Sequence, residues 1–390
     1  MKFASLTDRV DGPGSDAWDI HYAAANRQLN GENVIILSIG QEMLESTPEA
    51  VLEAAVDSLN NGRHHYSEIG GELHLRESVA ARYTKLWGKP VSASNVSIMS
   101  GAQNALFATS LCLLEKGDEA ILIEPYYATY PATLSVGGAA ISAVPTRPEN
   151  DFLPTIDDVS SRITDNTRAI LINSPHNPSG MVYPERLIVD LVNLCKDKGI
   201  WLISDEVYAF FPEPGTFRSP ASLPGAFEHC VTVSSVSKSH RMTGWRVGWV
   251  IASESLVKKL FSLSLCMSYG LPPFTQDAAS TALAHSEDIE WTIRNEINRK
   301  RNWVISKLSE ISGVVIRGSE VGMFVTFDIR DLGIDGNEFA WHLLNEYDVA
   351  VLPCTAFGPS GEGILRMNIG ESDNNLQLAC ERIDHLISKL

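Results

Sequence analysis

The stretch Ser234-Ser235-Val236-Ser237-Lys238-Ser239-His240-Arg241-Met242-Thr243-Gly244-Trp245-Arg246-Val247-Gly248 sets one lysine among serines, between apolar β-type runs at 230–233 and 247–252. A buried lysine is costly unless it is paired or used chemically. One use fits this setting: a Schiff base with an aldehyde cofactor, where desolvation keeps the amine neutral and nucleophilic. Ser235 stands three residues before Lys238, and Arg246 eight after it. A hydroxyl and a guanidinium fork suit a phosphate dianion. An aldehyde that carries a phosphate points to pyridoxal 5'-phosphate.

Other chemistry-bearing residues stand at the ends of apolar runs. The run 200–204 ends in Asp205-Glu206-Val207-Tyr208. An aspartate at the carboxyl end of a buried parallel strand lies where open α/β sheets take ligands. There it can pair with a pyridinium N–H and favour the protonated ring, the electron sink of the cofactor's chemistry. Glu206 reads as structural. The strand 95–99 turns through Ser100-Gly101-Ala102-Gln103 into a helix. Such a turn offers free N–H groups to a phosphate, although a tight βα turn explains the glycine equally well. His64-His65 has no carboxylate at ligand spacing and is weak as a metal site.

The elements that must hold these groups follow from composition and periodicity. The chain has 390 residues, 44% hydrophobic and 20% charged, enough for a large core and two domains. A net charge of −17 argues against a nucleic-acid or anionic-membrane partner. No apolar run reaches the ~18–20 residues of a transmembrane helix, and the N-terminus has no apolar signal segment. The six cysteines are scattered without a CxxC pair, as expected of reduced core residues in a cytoplasmic protein. Short apolar strands are expected at 119–123, 168–172, 200–204 and 230–233, and a helix over 184–198 with Pro184 in its first turn. A helix is expected from Pro48, with Thr47 as its cap. Another is expected over 17–29 with Ser15 or Asp16 as cap, and a strand over 34–39.

S-x-S-K followed by R-x-G resembles the lysine signature of class I/II aminotransferases, the fold-type I pyridoxal-phosphate family. Other motifs recur in family order between about 34 and 370: Tyr66 with Gly71 and Leu75-Arg76 (Tyr-x4-Gly-x3-Leu-Arg), Asn173-Ser174-Pro175-His176-Asn177-Pro178-Ser179-Gly180, Asp205-Glu206-Val207-Tyr208, and Phe357-Gly358 ahead of Arg366. The resemblance implies a three-layer α/β/α large domain with a mostly parallel seven-stranded sheet, antiparallel after the lysine, plus a smaller α+β domain. The large domain is expected at 47–290. The small one joins 1–46 to 312–390, with 291–311 as the end of a bridging helix.

The resemblance also assigns roles. Lys238 holds the cofactor and moves the proton. Gly101, Ala102, Gln103, Ser235 and Arg246 bind phosphate. Tyr66 reaches the phosphate of the neighbouring subunit in a homodimer. Tyr127 covers the ring, Asn177 and Tyr208 meet the phenolic oxygen, and Asp205 meets the ring nitrogen. Tyr126 and Tyr130 are expected to be packing residues. Gly40, Asn177 and Arg366 face the substrate, with Arg366 as a bidentate carboxylate clamp. The implied activity is ping-pong transfer of an amino group from an L-amino acid to a 2-oxo acid. An aspartate-specific or broad-specificity enzyme, or a lyase or oxidase on the same scaffold, stays open.

The donor is expected to be a basic amino acid, arginine first, because the sequence is similar to bacterial arginine–pyruvate transaminases around 15–22 and 237–250. Gly40-Gln41-Glu42-Met43 departs from the wider family's Gly-x-Pro-Asp run. Relatives specific for aspartate use an arginine before the Pro-Pro break. Here 262–270 reads Ser-Leu-Ser-Leu-Cys-Met-Ser-Tyr-Gly, with no basic residue. Asp16, Asp19, Glu42 and Glu45 are candidates to meet a guanidinium.

Overall fold

The computed structural model describes residues 1–10, 18–42 and 46–390. Its strands in chain order are β1 (Ile35–Ile36), β2 (Val96–Met99), β3 (Glu119–Ile123), β4 (Ala140–Val144), β5 (Thr167–Asn173), β6 (Trp201–Asp205), β7 (Cys230–Ser235), β8 (Gly248–Ile251), β9 (Val315–Ile316), β10 (Phe324–Asp328), β11 (Val349–Ala350), β12 (Leu352–Pro353) and β13 (Ile364–Asn368). β2 to β8 form a seven-stranded sheet in the order β2-β8-β7-β6-β5-β3-β4. Only β8 runs against its neighbours. The fold is therefore α/β, with the antiparallel strand directly after the lysine.

The central strands β5, β6 and β7 are buried almost throughout because both faces of the sheet are covered. Successive side chains go to opposite sides. Ile170, Ile172 and Leu202 join one core with the helix Glu185–Lys198, while Ala169, Leu171 and Ile203 join another with the helix Gly101–Leu113. A third core gathers β10 and β13 with the helices Asp19–Leu29, Ser286–Ser309, Gly336–Tyr347 and Asp373–Ile387. β9, β10, β12 and β13 make a four-stranded antiparallel sheet beside it.

Three local expectations are corrected. The strand expected over 34–39 is only β1, two residues long, because its partner β11 is equally short before the chain turns into β12. Pro48 occupies the cap position of the helix Glu49–Asn60, and no side chain caps it. Thr47 instead donates its hydroxyl to the Arg241 carbonyl at 2.9 Å and accepts from the Trp245 indole at 2.9 Å. The first helix of the expected 17–29 pattern begins at Asp19, and the proposed caps Ser15 and Asp16 lie outside the described residues.

Candidate functional site

The carboxyl ends of β2, β5, β6 and β7 open on a cavity of about 300 Å³. β7 ends at Ser235, and Lys238 follows on the one-turn helix Val236–Ser239. The Lys238 amine donates to the Gly40 carbonyl, which ties the segment after β1 to the lysine. Desolvation lowers the amine to about 8, helped by the positive charges of Arg366 and Arg246. A lysine so placed is readily neutral, as a nucleophile or proton carrier must be.

One wall of the cavity is built for an anion. Gly101 opens the helix Gly101–Leu113 with φ +82°, and a Cβ there would lie 2.3 Å from Arg246 Nη2. Gly248 is equally constrained: a Cβ would lie 2.6 Å from the Gly101 carbonyl carbon. Both glycines are needed for the chain to bring Arg246, Ser235 and the first turn of this helix together. Arg246 adopts φ +56° and anchors one Nη on the Thr243 carbonyl at 2.7 Å. Gln103 spends its side chain on Thr133 and Thr129, so its contribution to an anion is its backbone N–H at the helix start.

The opposite end carries Asp205, the last residue of β6. Burial pushes its carboxyl up to about 6, opposed by hydrogen bonds from the Tyr130 hydroxyl at 2.8 Å and the Val207 N–H at 3.2 Å. Tyr130 thus corrects the expectation of a packing residue: it lines the cavity and fixes the carboxylate. Its ring meets Tyr127 edge-on at 5.6 Å.

Arg366, on β13, is 1% exposed. It donates to Asn177 Oδ1 at 2.8 Å and to the Ser38 carbonyl at 2.6 Å. Its carbon centre lies 4.3 Å from the Phe324 ring centroid and 5.0 Å from that of Phe357. Its Nε has no acceptor, and among the described residues it pairs with no carboxylate. A buried guanidinium with an orphaned donor is set to receive an anion.

Gly40, Ala102, Gln103, Tyr127, Asn177, Asp205, Tyr208, Ser235, Lys238, Arg246 and Arg366 all line this cavity. Gly101 adjoins it through Arg246. Tyr66 does not line it: it is 86% exposed, with its ring 4.9 Å from that of Tyr269. Trp18 and Gln41 are lining residues that sequence reasoning missed. Of the four acidic candidates, Glu42 is held by Arg241 at 2.6 Å and Asp19 is exposed. Asp16 and Glu45 lie outside the described residues.

An amine, a carboxylate, an anion cradle and a buried guanidinium around one cavity define a pyridoxal-phosphate enzyme of fold type I. The chain belongs to the class I and II aminotransferases, whose family model, "Aminotransferase class I and II", matches residues 32–383. It is 43% identical over 384 residues to the arginine–pyruvate transaminase AruH of Pseudomonas aeruginosa, covering 98% of this chain and 97% of that one. It is 32% identical to an aspartate aminotransferase of Pyrococcus horikoshii over 90% of each chain. The structure of Thermus thermophilus aspartate aminotransferase with maleate superimposes with a TM-score of 0.93 at 28% identity, over 99% of this chain and 100% of that one. Members of this family use pyridoxal phosphate, and the residues present fit it: the cradle admits the Arg246 fork only because residue 101 is glycine.

Proposed function

We propose that this chain transfers the amino group of a basic L-amino acid, arginine first, to a 2-oxo acid such as pyruvate. The observation that carries the amino-acid reading is Arg366, buried, without a carboxylate partner among the described residues, in the same cavity as Lys238. Two findings support the basic side chain: the similarity to AruH, and the absence of any lysine or arginine in 262–270. A dicarboxylate would leave a charge without a partner there.

Pyridoxal phosphate, when bound, supplies an aldehyde that condenses with amines and a ring that takes up the electron pair left at Cα. Ser235, Arg246 and the N–H groups of Gly101, Ala102 and Gln103 would hold its phosphate. Asp205 would hold its ring nitrogen, Tyr127 would cover the ring, and Asn177 and Tyr208 would meet its phenolic oxygen. Arg366 fixes the substrate carboxylate so that Cα–H faces Lys238. The Lys238 amine, lowered to about 8 and so able to shed its proton near neutral pH, takes that proton and returns it to the other side of the transferred nitrogen. Buried apolar walls such as Phe324 keep water from the reacting atoms.

The enzyme acts as a homodimer in which Tyr66 serves the partner's phosphate site, a role that its exposure outside its own cavity supports. The lobes divide as 47–290 against 1–46 with 312–390, and the compartment is the cytoplasm. Among the described residues no helix is long and apolar enough to cross a membrane. The test of the donor is kcat/KM for arginine, lysine, ornithine, aspartate, leucine and phenylalanine with pyruvate as acceptor. Arginine is expected to lead. An advantage of about tenfold for aspartate or phenylalanine, about 1.4 kcal/mol in transition-state binding, overturns the assignment.

A further inference from the structure

Behind the strand ends that carry the lysine cavity lies a second cavity of about 1040 Å³. Such a volume is at the upper end of small-molecule sites, roughly 300–1,000 Å³. Neighbouring residues serve the two sides: Asp205 lines the first cavity and Glu206 the second. Glu206 is 2% exposed, and its Oε1 accepts from the Ser219 hydroxyl at 2.7 Å. Among the described residues it forms no ion pair. Tyr83, Phe210, Phe217, Trp249 and Trp291 supply aromatic walls.

The lysine and arginines around this cavity are engaged by partners other than Glu206. Arg82 is paired with Glu290 at 2.6 Å, and Lys85 is paired with Glu287. Arg294 donates to the Phe210 carbonyl at 2.7 Å. Arg218 is paired with Glu185 at 3.5 Å. An ionised Glu206 therefore has no cation of the protein assigned to it.

We propose that this cavity is a second ligand site, for an organic cation: a primary amine or guanidinium on an apolar or aromatic body, with Glu206 as its anchoring carboxylate. The aromatic walls favour such a cation by their ring faces, and the buried carboxylate requires one to ionise. Burial pushes the free Glu206 carboxyl up to about 8, with Asp205 adding to the effect. Tyr83 and Cys230, which also face it, are each pushed up to about 12 by burial and stay neutral. At pH 7 a bound cation thus releases a proton from Glu206. A monoamine has no carboxylate for Arg366, so its chemistry suits this cavity and not the first.

The experiment uses holoenzyme reduced with borohydride, in which the cofactor is locked onto its lysine and cannot react with amines. Phenethylamine is titrated into it, followed by tryptophan fluorescence and by calorimetry at pH 7 in two buffers of different ionisation enthalpy. The expected result is saturable binding with release of close to one proton per amine. Phenylacetate, the same body with the opposite charge, is expected not to bind. Glu206→Gln is expected to weaken binding by about tenfold or more. Trp291→Ala alters a side chain that is 63% exposed and so leaves the fold intact; it is expected to weaken binding several-fold. No saturable binding, binding without proton release, or unchanged affinity in Trp291→Ala overturns the proposal, whether or not the Glu206 variant folds.

Discussion

Lys238 and Arg366 are both desolvated cations in one cavity, but burial makes one of them reactive and the other hungry for an anion. The Lys238 amine is lowered to about 8, with desolvation the largest cause. Its depressed value is a penalty on folding: below about 8 both folded and unfolded states carry the proton, and the penalty is complete. Between about 8 and the ordinary lysine value only the unfolded state holds the proton, so stability rises with pH there. Cofactor-free Lys238→Met is therefore expected to melt above the cofactor-free wild type at pH 7, and the gap should close by pH 10.5. A gap that widens with pH contradicts the desolvated lysine. Arg366→Ala is expected to lower kcat/KM for the amino acid by about 30-fold to 5,000-fold, a cost on the order of 2–5 kcal/mol, while pyridoxal phosphate still binds. Unchanged kcat/KM removes Arg366 from the substrate site. Tyr130→Phe removes a hydrogen bond from Asp205, which should cost about 1 kcal/mol, or about fivefold in kcat, with near-normal KM.

The elements explain why so much of this site was legible and where legibility stopped. Lys238 and Asp205 stand next to apolar runs that read as buried strands, so their place at the sheet's carboxyl edge followed from the pattern, whereas Asn177 was placed by the family motif that carries it. Gly101 was ambiguous as a βα turn. Its need appears only when Arg246, far away in sequence, is seen against the spot where its Cβ would stand. Tyr130 was misread because Tyr126, Tyr127 and Tyr130 lie in one short segment with no period to separate them. Which of the three reaches Asp205 is decided by the short helix Tyr130–Leu134. Thr47 looked like a helix cap because a cap needs only a local pattern, whereas its actual partners, Arg241 and Trp245, come from the lysine loop. The cradle gives a further expectation: Gly248→Ala forces a Cβ into the Gly101 backbone at 2.6 Å, so it should weaken pyridoxal-phosphate affinity more than Ala102→Ser. Equal affinities in equilibrium dialysis would contradict the close approach.

At the scale of the whole molecule, the small sheet and the large sheet meet at the lysine cavity. Gly40 and Arg366 come from the side of β1 and β13, and Lys238 and Asp205 from the ends of β7 and β6. Tyr66 stands outside this arrangement, and the homodimer reading is tested by mixing inactive Tyr66→Phe and Lys238→Ala subunits. Recovery of activity after subunit exchange is expected, since one site of each mixed dimer then has both residues. The central claim is that this cavity moves an amino group from arginine to an acceptor, and its most direct measurement is the half-reaction. Holoenzyme is mixed with excess L-arginine and no 2-oxo acid. The predicted result is one equivalent of 2-oxo acid released per site, then arrest, then one equivalent of alanine when pyruvate is added. Continuous product formation without an acceptor, or release from aspartate but none from arginine, would contradict it.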